Sequence, residues 1–225
     1  MSAPGSRGRL ATARLYLCTA DRPDIEAFVA ACIRGGVDVV QLREKSLDAA
    51  PLLERARLVA ATCARLGVPF VLNDRPDLAL GATADGVHVG QDDAPAALAR
   101  RVVGPDAIVG LSTHAIAELE RALREPVDYV SAGPVVPTPT KPGRPATGIG
   151  YVSEAARRCA AVGMPFFVTG GVTPDSVGAL AAAGASRFVA VRYLTSSADP
   201  EAAARRLRDA IDATPLHARR DRGAP

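Results

Sequence analysis

Two carboxylates, Asp74 and Asp93, stand among cations, amides and hydroxyls in short polar segments that each follow an apolar run. Gln41, Arg43 and Lys45 alternate with period two, so an extended backbone turns all three to one face. Asn73-Asp74 closes the next run, and Gly90-Gln91-Asp92-Asp93 the one after it. Ser112, then Thr138, Thr140 and Lys141, then Gly170-Gly171, then Val191-Arg192 follow later runs. Carboxylates alone repel phosphate. A pair of them holding Mg²⁺, with Arg43 and Lys141 neutralising the remaining charge, suits a phosphorylated anion instead. Gly170-Gly171 ahead of a helix lets backbone N–H groups approach such an anion closely. No member of the set has to act as a general base.

Each segment taken alone has a plainer reading, and those readings stay open at this point. Gln41, Arg43 and Lys45 fit a solvated strand end, while Asp74 and the Asp92-Asp93 pair fit helix caps. His88 lies inside an apolar run and fits a packed, hydrogen-bonded role, and His217 lies in the tail with none. His114, two residues past Ser112, divides between the site and a helix cap. Three scattered histidines without a helical repeat do not make a zinc site.

What gathers these segments is a pattern that repeats eight times. Apolar, β-branched runs at 15–20, 37–42, 68–73, 86–90, 107–112, 128–132, 165–169 and 187–191 predict strands. Ala- and Leu-rich stretches of helical period at 24–35, 48–66, 76–82, 94–102, 115–124, 150–161, 174–183 and 199–212 alternate with them. Gly35-Gly36, Gly67, Gly104, Gly163 and Gly184 fall where helices return to strands, and Asp24, Asp48 or Ser46, and Asp175 fall where helices open. Nearly continuous apolar strands imply burial on both faces, hence a parallel sheet under helices. Eight βα units predict a single α/β domain, a (β/α)₈ TIM barrel, with an open doubly wound sheet as the competing architecture. In such a barrel the chemistry sits at the C-terminal strand ends, which places all the polar segments on one rim. The Gly- and Pro-rich stretch 133–148 is long for a loop in so compact a domain, which marks it as functional.

Composition narrows the remaining classes. With 225 residues, 48% hydrophobic and 23% charged, the chain can bury a sizeable core, which excludes a mainly disordered protein or a coiled coil. The formal charge of +3 traces to arginines in the first 14 residues and the tail, so the near-neutral remainder predicts no nucleic-acid partner. No Trp is present to stack on bases. Cys18, Cys32, Cys63 and Cys159 lack paired spacing and read as buried free thiols of a cytoplasmic protein. No apolar run reaches the ~20 residues of a membrane helix, so no membrane partner is expected. Residues 1–14 and 214–225 are expected to be disordered ends around a catalytic domain at 15–213. Homo-oligomerisation stays open.

At these residues the sequence resembles the thiamine-phosphate synthase family. The match runs from about 15 to 213 and includes Gln41-Leu42-Arg43-Glu44-Lys45, Asn73-Asp74, His88-Val89-Gly90-Gln91-Asp92-Asp93, Gly133-Pro134 with Pro137-Thr138-Pro139-Thr140-Lys141, and Gly170-Gly171. The resemblance implies a barrel enzyme that joins hydroxymethylpyrimidine diphosphate to a thiazole phosphate, carboxylated or not, releasing pyrophosphate. It implies that Gln41, Arg43, Lys45, Asn73, Ser112 and Lys141 hold the pyrimidine diphosphate, with Arg43, Lys45, Ser112 and Lys141 acting in catalysis. Asp74 and Asp93 then bind Mg²⁺, and Thr138, Thr140, Gly171 and the backbone at Val191 and Arg192 hold the thiazole phosphate. The family's chemistry is dissociative: pyrophosphate leaves and the thiazole nitrogen captures a pyrimidine methylene cation. Many relatives resemble Ile-Ser after the eighth strand where this chain has Val191-Arg192. A sister thiazole tautomerase of the same fold and a non-catalytic, thiamine-precursor-binding regulatory barrel are the rival readings. The tautomerase-like pattern lacks the metal carboxylates, and a regulatory barrel has no reason to keep them.

Overall fold

Strands β1 (Leu15–Thr19), β2 (Val39–Leu42), β3 (Phe70–Asn73), β4 (Gly86–Val89), β5 (Ile108–Thr113), β6 (Tyr129–Ala132), β7 (Phe166–Thr169) and β8 (Phe188–Ala190) pair in sequence order, all parallel. The ring closes where β1 meets β8 through Leu15↔Phe188, Tyr16↔Val189 and Leu17↔Ala190. That pairing excludes the open doubly wound sheet. A computed structural model provides the coordinates and describes residues 5–137 and 145–214.

Among the described residues eight helices cover the outside: α2 (Ile25–Arg34), α3 (Ala49–Arg65), α4 (Pro76–Gly81), α5 (Ala96–Val103), α6 (Ile116–Ala122), α7 (Gly148–Ala161), α8 (Pro174–Ala182) and α10 (Pro200–Asp212). Their apolar residues recur at helical spacing, as with Ile25, Phe28, Val29 and Cys32 on the inner face of α2. Two short helices add to the eightfold pattern, α1 (Ser6–Thr12) before β1 and α9 (Arg192–Thr195) after β8. Helix starts depart from expectation. Asp24 and Asp48 occupy cap positions without a side-chain bond to the helix N–H groups, and Asp175 lies inside α8, which Thr173 and Ser176 open with a reciprocal capping box. Gly36, not Gly35, takes the left-handed turn after α2.

Burial separates into two layers. One fills the space between strands and helices. The other lies inside the barrel and comprises Leu10, Ala13, Tyr16, Cys18, Val39, Val71, Ile108, Tyr129, Phe167 and Val189. Leu10 belongs to α1, so the expectation of a disordered start is corrected for residues 6–12: this helix plugs the N-terminal end of the barrel. The arginines of the head are likewise engaged rather than frayed. Arg7 pairs with Asp128 at 2.8 Å, and Arg14 with Asp212 at 3.2 Å. Thr214, expected in a disordered tail, is buried and accepts from Arg14 at 3.3 Å.

Three aspartates ring this lower end. Asp38 accepts from the backbone N–H of Leu15 (2.9 Å), Asp85 from that of Phe70 (2.8 Å) and Asp128 from that of Val109 (2.7 Å). Each stands just before an even-numbered strand and pins the odd-numbered strand that precedes it. This end of the barrel is therefore held by charge-assisted hydrogen bonds that take no part in the opposite, C-terminal rim.

Inside the barrel, the inward position of β5 between His88 on β4 and Tyr129 on β6 is Gly110, in register with both. A Cβ there would lie 2.1 Å from Tyr129 Cζ. Gly110→Ala is therefore expected to cost about 1–3 kcal/mol through overpacking, read as a lowered urea midpoint at unchanged slope.

Candidate active site

Alternation along the strands puts an apolar layer low in the barrel and a polar one at its C-terminal end. Cys18 sits beside Gln41, Asn73 beside His88, and Ser112 beside Ser131. Above this layer opens a cavity of about 430 Å³ whose wall includes Gln41, Arg43, Asn73, Ser112, Gly171, Val191 and Arg192. Seven residues singled out in the sequence thus meet at one mouth, although they come from five βα units. The Arg43 N–H continues the strand ladder to the Thr19 carbonyl at 2.7 Å, which keeps its side chain in the inward register of Gln41. Among the described residues neither Arg43 nor Arg192 is ion-paired, so two guanidinium groups face the mouth available for an anion. Asn73 is buried, and its Nδ2 has no hydrogen-bond partner among the described residues. A buried amide donor left without an acceptor costs free energy, which a ligand acceptor would recover.

Beside the cavity lies an acidic edge. Asp74 and Asp93 are close enough to share a hydrogen bond, and Lys45 Nζ reaches Asp74 at 2.7 Å and Asp93 at 3.9 Å. Burial, followed by the contact with Asp93, pushes the Asp74 carboxyl above its usual value against the pull of Lys45. Burial also raises Asp93, but the bonds from Asp74 and the Gly90 N–H, with the charges of Lys45 and Arg43, bring it below the usual value. Two carboxylates forced to differ in this way, with an ammonium beside both, are short of positive charge. The donor set fits Mg²⁺, which takes one or two carboxylates and completes its shell with water and substrate phosphate. No group of three or more His, Cys, Asp or Glu side chains gathers among the described residues, so a closed, fully protein-ligated metal site is not formed by them.

The backbone is bent to build this edge. Asp74 has φ of +62°, and the Arg75 N–H bonds back to the Asn73 carbonyl at 2.9 Å, making a tight turn with Asp74 at its apex. A non-glycine residue held in the left-handed region stores strain, as functional positions often do. Asp74 is not a helix cap, since α4 starts after Arg75 with no side-chain cap. Asp93 is held by the Gly90 N–H at 2.9 Å, and a Cβ on Gly90 would sit 2.6 Å from its Oδ2. Gly90→Ala is expected to displace that carboxylate and lower turnover about 10–100-fold while the melting temperature stays nearly constant. Steady-state rates beside a thermal melt check this.

On the other side the mouth is lined by Gly170-Gly171 and by the start of α9, the short extra helix that phosphate-binding barrels carry after their last strand. Gly170 and Gly171 both take positive φ and are covered by the chain after β6: a Cβ on Gly170 would meet Val135 N at 2.6 Å, and one on Gly171 would meet Val136 Cγ2 at 2.4 Å. Thr138, Thr140 and Lys141 lie outside the described residues, as does His217. His114 lies outside the residues that line the cavity, and the cap position of α6 is Ala115; the His114 ring meets the Gly133 carbonyl and its backbone N–H donates to Glu118 at 2.7 Å.

Sequence reasoning passed over Tyr16, Cys18, Tyr129, Ser131 and Thr169, all of which line the cavity. A tyrosine on a strand reads as apolar filling, and only its partner hydroxyl across the barrel reveals it as polar. The signal available was the inward register shared with Gln41 and Ser112. Cys32, Cys63 and Cys159 are free and buried, each thiol pushed up to about 12 by burial, which leaves them inert.

With this geometry in view, the thiamine monophosphate synthase family model matches residues 15–194. A thiamine-phosphate synthase of Mycobacterium sp. (strain KMS) is 45% identical over 214 residues, covering 90% of this chain and 94% of the relative. One of Saccharopolyspora erythraea is 46% identical over 213 residues, covering 91% and 95%. Among solved structures, thiamine phosphate pyrophosphorylase from Pyrococcus furiosus superposes with a TM-score of 0.80 at 25% identity, covering 92% of this chain and 97% of that one. A 3-hexulose-6-phosphate synthase, at 22% identity and a TM-score of 0.61, shares the fold.

Proposed function

Since the chain belongs to the thiamine monophosphate synthase family and is a transferase that forms thiamine phosphate, we propose how its own residues divide that work. Arg43, Lys45 and Lys141 take the diphosphate of the pyrimidine substrate, while Gln41, Asn73 and Ser112 orient its ring. The observation that carries this reading is the buried Asn73 amide, without a partner among the described residues, at a mouth shared with two guanidinium groups that form no ion pair among those residues. It supports a ligand with a neutral acceptor at one end and concentrated negative charge at the other. Asp74 and Asp93 hold Mg²⁺, which when bound neutralises diphosphate oxygens as charge accumulates on the leaving group. Gly171, Val191 and Arg192, with Thr138 and Thr140, hold the phosphate of the thiazole. The Arg192 side chain adds a charge to that subsite.

The C–O bond of the pyrimidine methylene breaks, and pyrophosphate departs with the electron pair. The thiazole nitrogen then supplies the pair for the new C–N bond. No proton has to be removed from either partner in bond formation, which agrees with a mouth rich in cations and poor in bases. The four free cysteines support a reducing, cytoplasmic setting, and among the described residues no helix is long and apolar enough to cross a membrane. Residues 6–214 act as one catalytic domain on small-molecule substrates.

Incubating purified protein with hydroxymethylpyrimidine diphosphate, thiazole phosphate and Mg²⁺ tests the reading directly. Thiamine phosphate and pyrophosphate are expected in equal amounts. Turnover with Asn73→Leu matching the parent would remove the carrying observation.

A further inference from the structure

A file of hydrogen bonds crosses the barrel interior, joined at its Ser112 end by Ser131, whose Oγ donates to Ser112 Oγ at 3.4 Å. Gln41 Nε2 donates to the Tyr16 hydroxyl at 2.9 Å, and the Tyr16 and Tyr129 hydroxyls are 2.9 Å apart. The Tyr129 hydroxyl lies 2.9 Å from His88 Nδ1, and His88 Nε2 lies 2.9 Å from Ser112 Oγ. All five side chains are buried. Burial pushes both phenols above their ordinary values, so each keeps its proton.

Every hydroxyl in the file has one proton, and a neutral imidazole has one N–H and one bare nitrogen. The file therefore has a direction, and fixing it at one end fixes it at the other. Cys18 fixes the Gln41 end, its Sγ donating to Gln41 Oε1 at 3.2 Å and leaving the amide nitrogen to face Tyr16. Tyr16 receives from Gln41 and so donates to Tyr129, and Tyr129 donates to His88 Nδ1. His88 then carries its proton on Nε2 and donates to Ser112.

Packing holds the file in line. Phe167 meets Tyr16 and Tyr129 edge-on at centroid separations of 5.3 and 5.4 Å, and Gly110 leaves the space through which the Tyr129 ring reaches past β5 to His88.

We infer that Tyr16, Tyr129 and His88 are positioning residues that set the hydrogen-bond sense of Ser112, filling its acceptor side with the His88 N–H so that Ser112 meets the pyrimidine diphosphate as a donor. This rests on the substrate role proposed for Ser112. It also links the two ends of the mouth: the sense of the Gln41 amide and the sense of Ser112 are one choice.

The test reads the tautomer itself. Only three histidines occur in the chain, so two-bond ¹H–¹⁵N spectra of ¹⁵N-histidine-labelled protein can be assigned with His114→Gln and His217→Gln variants. His88 is expected to be protonated at Nε2 with Nδ1 bare, in the absence of substrate. In Tyr129→Phe the preference should relax to a mixture of tautomers, and kcat should fall roughly tenfold, the size of one lost hydrogen bond, with KM for the diphosphate little changed. Wild-type His88 protonated at Nδ1 would overturn the inference, and so would a Tyr129→Phe protein that keeps both the Nε2–H tautomer and the parent kcat. Because the wild-type spectrum is read without the Tyr129 variant, a Tyr129→Phe protein that fails to fold leaves the decisive reading in place. A fully active Ser112→Ala protein would instead remove the substrate role of Ser112, a failure distinguishable because the tautomer is read without substrate.

Discussion

Asp74→Gly should make the protein slightly more heat-stable and about 100- to 1,000-fold slower. The two effects share one cause. Asp74 holds φ of +62°, a conformation that costs an L-residue about 1–2 kcal/mol, and its carboxyl is half-buried beside Asp93. Glycine takes the same backbone without that cost, although part of the gain returns as entropy of the unfolded chain. A net gain of about 1 kcal/mol would raise the melting temperature by roughly 2–4 °C in a domain of this size. Activity moves the other way because, in the proposed metal role, removing one of the two carboxylates takes away stabilisation of the leaving diphosphate, an effect of about 10²–10³ in rate. Asp93→Ala should show the same kinetic loss without the gain in stability, since its backbone is not in the left-handed region. Thermal melts and initial rates across a Mg²⁺ titration check both variants. Near-parent rates for either at limiting Mg²⁺ would remove the metal assignment, and a lower melting temperature for Asp74→Gly would show that the turn is not strained.

Lys141→Ala should lose about 10²–10³ in kcat with little change in KM for the diphosphate. A cation near the departing group gains interaction as charge builds on the leaving oxygen, so its contribution is larger in the transition state than in the ground state. Arg43 provides the contrast. Its guanidinium lines the cavity without an ion pair among the described residues; in the proposed role it meets the diphosphate from the outset, so Arg43→Ala should raise KM more than it lowers kcat. Single-turnover rates separate the two cases when product release is not limiting. A Lys141→Ala protein with weakened binding and the parent chemical rate would reassign this lysine to anion capture and leave the synthase activity untouched.

The eightfold alternation was legible because parallel strands buried on both faces are uninterrupted apolar runs, and the polar residues just beyond them mark the rim. Gln41, Arg43, Asn73 and Ser112 were found by that logic. The acidic pair was legible as residue types, but not the turn that raises Asp74 into contact with Asp93, because positive φ at an aspartate leaves no mark in composition. Tyr16 and Tyr129 were missed for another reason. Their rings satisfy the apolar pattern of a strand, and their hydroxyls become meaningful only when strands far apart in sequence face each other across the barrel. Helix α1 was missed because a seven-residue helix with one buried side chain, Leu10, has too little periodicity to stand out from an Arg-containing end. Helix α9 is shorter still.

The plug and aspartate ring at the lower end bear on how the protein can be handled. Helix α1 and the end of α10 meet there, tied through Arg14 to Asp212 and Thr214, on the face opposite the cavity. A linker attached on this face, whether to a bead, a sensor surface or a fused carrier, leaves the mouth turned toward the bulk solution. Immobilised protein should therefore retain its substrate access, and the residues that secure the anchorage are not those that turn over substrate.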